Sequence, residues 1–324
     1  MNSEHFLCAI SYFSYMIEIQ NLTKKLGDGT ILDNISFSVK KGEILGFLGS
    51  NGAGKTSTMK IITSFWSATE GSVLVDGLEV KNNSLETRKK IGYLPENVPL
   101  YDDMKVSEYL KFAAEIRKIP KEKIKERIRE TVASCGLKDV YDRPIDELSK
   151  GYRQRTGLAQ AIIHDPEILI LDEPTTGLDP NQIAEIRELI KNLGKEKTVI
   201  FSTHILAEAA AICDRAVIIN KGKIVGEGTP DELARRFAGK DLIYVKIKGP
   251  RGAVLEKIMA MENVGRAEVK DRESDEIYGY EIEPKPGVDL REYLSMTIMN
   301  SGWSILEFSK KSVSLEDVFR ELTK

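Results

Sequence analysis

One short loop constrains the fold of this chain more than any other stretch of its sequence. The apolar run "GEILGFLG" is typical of a buried strand, and "KTSTMKIITSF" places apolar residues at helical spacing. Between them, residues 49–56 fit the pattern of glycine, four residues, glycine, lysine and a hydroxyl residue. A strand, a glycine-rich loop and a helix in this order predict that backbone N–H groups of the loop surround phosphate oxygens.

Each residue type in this loop has a chemical reason. Glycines allow backbone angles and close approaches that a β-carbon would block. The Lys55 ammonium supplies a charge for the β- and γ-phosphates, and the Thr56 hydroxyl is a ligand for Mg²⁺. The loop therefore predicts a nucleoside triphosphatase, whose nucleotide-binding residues are Gly49, Ser50, Asn51, Gly52, Ala53, Gly54, Lys55, Thr56 and Ser57.

Two later apolar strands end in residues that suit phosphate chemistry. "EILILDEP", residues 167–174, ends in two carboxylates: Asp172 is predicted to hold Mg²⁺, and Glu173 to polarise an attacking water. "TVIFSTH" ends in Thr203 and His204. A strand-end imidazole is usually structural, but the parallel with the two acids favours a contact between His204 and the γ-phosphate. The predicted catalytic residues are therefore Lys55, Glu173 and His204.

The segment "ELSKGYRQRTGLAQAII", residues 147–163, predicts a second anion site. Ser149 and Gly151 stand where a helix begins, so free N–H groups and a hydroxyl are available there. Because one set of phosphates is already held at Lys55, the second site makes most sense if it closes on nucleotide bound by another copy.

Four motifs follow one another along the chain: "GSNGAGKT", "LSKGYRQR", "LILDEPTTGLD" and "STH". With these motifs, residues 16–232 resemble the ATP-binding subunit of an ATP-binding-cassette (ABC) transporter. By this resemblance "LSKGY" is the signature loop, and residues 177–179, ending in Asp179, cross a dimer interface. Two subunits, identical or different, would hold two ATP molecules between Lys55 of one copy and Ser149 and Gly151 of the other.

Four positions depart from the family pattern. Lys150 and Tyr152 replace the third and fifth residues of the usual leucine-serine-glycine-glycine-glutamine signature. Glu96, in "IGYLPEN", replaces a glutamine, and we expect it to reach Mg²⁺. Leu26 stands where the family commonly stacks an aromatic ring on adenine, so we expect apolar contact with the base and loose base selectivity.

The order of segments predicts the fold class. We expect an α/β P-loop NTPase of the ABC-ATPase type over residues 16–238, with an antiparallel β layer and a helical subdomain at about 97–163. Hairpins at Asp28-Gly29 and Asp76-Gly77 belong to the β layer. Residues 239–324 read as strand, helix, strand, strand, helix, strand and a terminal helix, which predicts a small α+β, ferredoxin-like accessory domain. Residues 1–15 are interpreted as an extension outside the folded core, with an upstream start codon as one explanation.

Composition excludes several classes of protein. Of the 324 residues 41% are hydrophobic and 30% charged, the balance of a soluble globular protein. The net charge of −3 gives no support for a nucleic-acid partner. No stretch approaches the roughly 20 apolar residues of a membrane span. Three cysteines, Cys8, Cys135 and Cys213, lack metal-ligand spacing, which favours buried thiols in a reducing compartment.

The leading functional prediction is an ATPase subunit on the cytoplasmic face of the cell membrane that drives transport through a separate membrane-spanning permease. Export is favoured because "SVSLEDVFRELT" resembles the tail of cassettes that serve drug-type and ABC-2-type exporters. One alternative is a soluble cassette ATPase acting on ribosomes or DNA, although this chain has one phosphate loop and no long heptad run. A further alternative is a nucleotide-binding regulator without turnover. This alternative is disfavoured because the chain retains four residues of the predicted catalytic and metal site, Lys55, Asp172, Glu173 and His204.

Overall fold

The computed structural model describes residues 15–237, 242–285 and 288–311. The chain divides into two compact units, with the boundary between Pro230 and Asp231. This boundary lies one helix earlier than the predicted one. The predicted extension lies outside the described residues apart from Tyr15, which already begins the first strand.

The first unit contains ten strands and seven complete α-helices among its described residues. Its strands are β1 (Tyr15–Leu26), β2 (Gly29–Lys40), β3 (Ile44–Leu48), β4 (Glu70–Val75), β5 (Leu78–Glu79), β6 (Ile91–Leu94), β7 (Ile168–Asp172), β8 (Thr198–Thr203), β9 (Arg215–Asn220) and β10 (Lys223–Gly228). Its helices are α1 (Lys55–Ile62), α2 (Ser84–Lys90), α3 (Val106–Ile116), α4 (Lys121–Cys135), α5 (Lys150–Ile162), α6 (Pro180–Gly194) and α7 (Leu206–Ile212). Helix α8 (Pro230–Phe237) begins at the boundary.

Two sheets form the core of this unit. The antiparallel sheet has the order β2-β1-β4-β5, and the six-stranded sheet has the order β10-β9-β3-β8-β7-β6. All pairs in the second sheet are parallel except the edge pair of β9 and β10. Strands β3, β7 and β8 are wholly buried, as expected for a parallel sheet covered on both faces. Their carboxyl ends meet at one edge of the sheet.

A hydrophobic core joins the two sheets. Ile17, Leu22 and Phe37 of the antiparallel sheet belong to the same buried cluster as Phe47 and Ile170 of the parallel sheet. Fully burying side chains of this size contributes about 1.5–3 kcal/mol each to folding. The core therefore fixes the strand-end loops relative to each other.

Helices α3, α4 and α5 pack against one another within the segment expected to form a helical subdomain. One face of α4 is buried, and it carries Ile124, Ile128, Val132 and Cys135. The helix ends at Gly136, whose φ of 63° is a left-handed C-terminal cap that favours glycine.

The second unit has the predicted order of elements. These are β11 (Leu242–Lys248), α9 (Arg251–Met259), β12 (Val264–Arg272), β13 (Ile277–Pro284), α10 (Arg291–Asn300) and β14 (Ser304–Lys311). Its antiparallel sheet has the order β12-β13-β11-β14, which is the ferredoxin-like arrangement. The predicted terminal helix lies outside the described residues.

Two cysteines of the described residues carry free thiols. Cys135 is buried and Cys213 is half-buried. Burial raises the pKa of each thiol to about 12, so both are protonated at neutral pH. Among the described helices, none is both long and apolar enough to cross a membrane.

Candidate nucleotide site

The glycine-rich loop connects β3 to α1, as predicted. Gly54 caps the helix with a φ of 112°, which favours glycine. A β-carbon on Gly49 would lie 2.6 Å from the carbonyl oxygen of Ile219. The loop therefore needs glycine at these two positions, one for its backbone angle and the other for close packing.

The Lys55 ammonium is held inside the loop. This side chain is 6% exposed. Its Nζ donates to the carbonyl oxygens of Gly49 at 2.7 Å and Ser50 at 3.2 Å, and lies 3.1 Å from Glu173 Oε1. A buried cation thus faces the carboxylate predicted to act as the catalytic base.

Asp172 ends β7 and is completely buried. Ser202 Oγ donates to its Oδ1 at 2.6 Å. Burial raises the pKa of Asp172, while the neighbouring hydroxyls of Ser202 and Thr56 oppose that rise. Its Oδ2 has no hydrogen-bond partner in the protein.

These residues fit a magnesium ion. Mg²⁺ prefers hard oxygen ligands and is usually held by one or two carboxylates together with substrate phosphates. The unpartnered oxygen of Asp172 and the hydroxyl of Thr56 supply such atoms next to the phosphate loop.

Glu173 adopts a strained backbone conformation. Its φ is 50°, in the left-handed region that a non-glycine residue rarely occupies. Its N–H donates to Ser202 Oγ at 2.9 Å, which fixes the turn. Its Oε2 accepts hydrogen bonds from Thr176 Oγ1 at 3.0 Å and from His204 Nδ1 at 2.9 Å. The turn thus directs the carboxylate between Lys55 and His204.

A cavity of about 330 Å³ opens over the loop. Glu96, which is exposed in the segment after β6, lines this cavity. Leu26 is 54% exposed at the end of β1 and is not among the lining residues, whereas Ile31 is. The adenine contact predicted for Leu26 stays a prediction. The lining residues are Ile31, Asn51, Gly52, Gly54, Lys55, Thr56, Ser57, Glu96 and Glu173.

The remaining predicted residues form a second group, away from the lining of this cavity. Ser149 caps α5, and its Oγ accepts from the N–H of Tyr152 at 3.5 Å. Asp179 caps α6, where its Oδ1 accepts from two backbone N–H groups at 3.0 Å. A β-carbon on Gly151 would lie 2.9 Å from Gln182 Cδ, so the beginnings of α5 and α6 pack closely.

Comparisons with known proteins agree with this geometry. Residues 32–176 match the family model described as "ABC transporter". The chain is 37% identical over 261 residues to the ABC transporter ATP-binding protein YhcH of Bacillus subtilis, covering 79% of this chain and 83% of that protein. It is 31% identical over 309 residues to the Nod factor export ATP-binding protein I of Ralstonia nicotianae, covering 95% and 94%. The chain belongs to the ATP-binding subunits of ABC transporters.

A solved structure supports the fold of this ABC subunit. It is a dimeric ATP-binding cassette in a post-hydrolysis state with ADP and phosphate, 26% identical, with a TM-score of 0.61. The match covers 66% of the present chain and 99% of that cassette. The present ABC subunit is therefore an ATPase that binds ATP and powers transport, and the alternative of a soluble cassette acting on ribosomes or DNA is not favoured.

Two residues of the ABC subunit's site were missed by the sequence analysis. Ser202 contacts both acids because β7 and β8 are parallel neighbours that pair Asp172 with Ser202. Thr176 bonds the carboxylate of Glu173 across a tight turn. In the sequence, both hydroxyl residues lie close to the predicted acids or to His204, and this was the one available signal. The contacts themselves depend on the register between neighbouring strands, which is a property of the folded sheet.

Proposed function

We propose that this ABC subunit hydrolyses Mg²⁺-bound ATP between two copies of the cassette, and that the cycle drives export through a separate permease. The second copy is the same chain or a related one. The observation that supports the proposal is the position of Glu173, whose two carboxylate oxygens face the Lys55 ammonium and the His204 imidazole.

In the proposed mechanism Glu173 accepts a proton from water while the water oxygen attacks the γ-phosphorus. The bond from the γ-phosphorus to the bridging oxygen breaks, and ADP leaves with that oxygen. Lys55 and His204 offset the charge that develops on the phosphoryl oxygens. Thr56 and Asp172, together with Glu96, would hold Mg²⁺, and the bound ion would supply further charge neutralisation at the phosphates.

The second group of residues supports the two-copy arrangement. Ser149, Gly151 and Asp179 lie at the beginnings of α5 and α6, outside the cavity that contains Lys55. The N-terminus of a helix attracts anions, so Ser149 and Gly151 suit the phosphates of nucleotide held by the other copy. A related cassette with ADP and phosphate is a dimer, which is consistent with this proposal.

Substituting Glu173 tests the catalytic proposal. Glu173→Gln keeps the size and one acceptor oxygen of the side chain but lowers its basicity. We expect ATP binding to persist and turnover to fall by roughly 10²–10⁴-fold, the contribution of a general base. ATP binding and phosphate release are measured on the same preparation, and an unchanged rate of phosphate release would refute the role of Glu173.

A groove beside the helical subdomain supports a permease partner. Its volume is about 670 Å³, and exposed Phe65, Leu85 and Ile116 lie along it together with Arg88 and Lys89. We propose that a short amphipathic helix of the permease, apolar with acidic flanks, binds there at the cytoplasmic membrane face.

The direction of transport rests on similarity. The relative named for Nod factor export aligns with nearly the whole chain, including the second unit. The cargo path would lie in the permease, so the present residues do not select a substrate.

Purification from native membranes tests the partner. The tagged ABC subunit, solubilised in detergent, should bring along a stoichiometric multi-span protein detected by mass spectrometry. Leu85→Glu should lose that protein while still binding ATP, because the substitution places a charge in the apolar groove. Ribosomal or DNA-repair proteins in place of a multi-span protein would contradict the proposal.

A further inference from the structure

A buried carboxylate that the proposed mechanism does not use lies behind the catalytic side chains. Glu208, on α7, is 4% exposed. Its Oε2 accepts hydrogen bonds from Thr203 Oγ1 at 2.7 Å and from Thr175 Oγ1 at 2.9 Å. Its Oε1 is buried and has no hydrogen-bond partner in the protein. Burying a carboxylate is costly, so its presence here calls for a reason beyond packing.

The two donors come from the two turns that carry the catalytic side chains. Thr175 follows Glu173 by two residues, and Thr203 directly precedes His204. The Glu173 and His204 side chains are themselves hydrogen-bonded at 2.9 Å. The hydrogen bonds and the short backbone segments between these residues thus form a closed ring, which runs from Glu208 through Thr175, Glu173, His204 and Thr203 back to Glu208.

Further hydrogen bonds fix Thr203 within this ring. Its hydroxyl accepts from the N–H of Ile205 at 3.0 Å, which orients the hydroxyl proton toward Glu208. Its carbonyl oxygen accepts from the N–H of Gly49 at 3.3 Å, at the beginning of the phosphate loop. The ring therefore connects the ends of β7 and β8 to the loop that holds Lys55.

We propose that Glu208 is a positioning residue for ATP hydrolysis, and that its carboxylate holds the turns of Glu173 and His204 at their catalytic separation. This inference rests on the proposed roles of Glu173 and His204. Glu208 does not line the nucleotide cavity, so it acts on the rate of hydrolysis and not on the binding of ATP. A displacement of about 1 Å in a catalytic group lowers a rate by about 100-fold.

Two substitutions separate positioning from general packing. Both threonines donate to the same oxygen, so the single amide oxygen of Glu208→Gln can accept both hydrogen bonds. Glu208→Leu has a similar size and accepts neither. On the full-length protein we expect Glu208→Leu to lower kcat by about 10- to 100-fold at unchanged KM for ATP. Glu208→Gln should restore kcat to within about threefold of the parent rate.

The possible outcomes distinguish the two proposals. Equal kcat in Glu208→Leu and the parent overturns the positioning role, as does a Glu208→Gln variant as slow as Glu208→Leu. Glu173→Gln is measured in parallel: if its turnover is unchanged, the proposed function fails, whatever Glu208 does. If Glu208→Leu does not fold, Thr175→Val and Thr203→Val each remove one donor. Each should lower kcat at unchanged KM, and two unchanged rates would again overturn the inference.

Discussion

His164 provides a test of how the structure responds to pH. This imidazole follows α5, and its Nε2–H donates to the carbonyl oxygen of Ile91 at 3.2 Å, while its Nδ1 is buried without a hydrogen-bond partner. Burial, together with the nearby cations of Arg117, Lys197 and Arg127, lowers its pKa from 6.5 to about 4. The folded protein therefore keeps His164 neutral at pH values where the unfolded chain has already protonated it.

The sign and size of the effect follow from these two pKa values. Between pH 6.5 and 4 the unfolded state binds a proton that the folded state does not, so the free energy of unfolding falls as pH falls. At about 1.4 kcal/mol per pKa unit, the complete loss is about 3 kcal/mol, of which about 2 kcal/mol is already lost at pH 5. Above pH 7 the imidazole is neutral in both states and contributes no pH dependence.

Replacing this imidazole with a non-titrating amide should remove that part of the pH dependence. His164→Gln keeps a donor for the Ile91 carbonyl. The sequence has two tryptophans, Trp66 and Trp303, so a Trp303→Phe background leaves Trp66 as the reporter of the first unit. In urea titrations, the free energy of unfolding of the parent should fall by about 2 kcal/mol more than that of His164→Gln between pH 7.5 and 5. Between pH 7 and 8 the difference in free energy of unfolding between the two proteins should stay constant. Equal losses in the two proteins would refute the reasoning.

Two other predictions concern close packing and base recognition. A β-carbon on Gly92 would lie 2.2 Å from the Ala161 carbonyl oxygen, so Gly92→Ala should lower the free energy of unfolding by about 3 kcal/mol in urea titrations. Gly252→Ala, in α9 with nothing within 4 Å, is the control and should stabilise the second unit by about 1 kcal/mol. Because Leu26 is exposed and Ile31 is the apolar side chain lining the cavity, GTP should compete with ATP for binding; strict ATP preference would contradict this.

Local patterns were sufficient to predict the phosphate loop and the elements around it. The loop residues are contiguous, and their function depends on backbone freedom and on the helix that follows, so the letters themselves carry the information. The strand-end acids and His204 were predictable for the same reason, since short apolar runs mark where buried strands end. The order of elements in the second unit followed from alternating and helical periodicity.

Contacts between distant segments required the tertiary structure. The pairing of Asp172 with Ser202 depends on the register of β7 and β8, which no local pattern encodes. No sequence motif marks Glu208, and only the fold brings Thr175 and Thr203 to one of its oxygens.

By itself, then, the sequence determined the phosphate loop, the acids and histidine that follow buried strands, and the order of helices and strands. These depend on backbone angles and on apolar spacing within a few residues of each other. The tertiary structure alone decided which side chains share a hydrogen bond across β7, β8 and α7. Such contacts depend on sheet register and core packing, which arise from the whole chain at once.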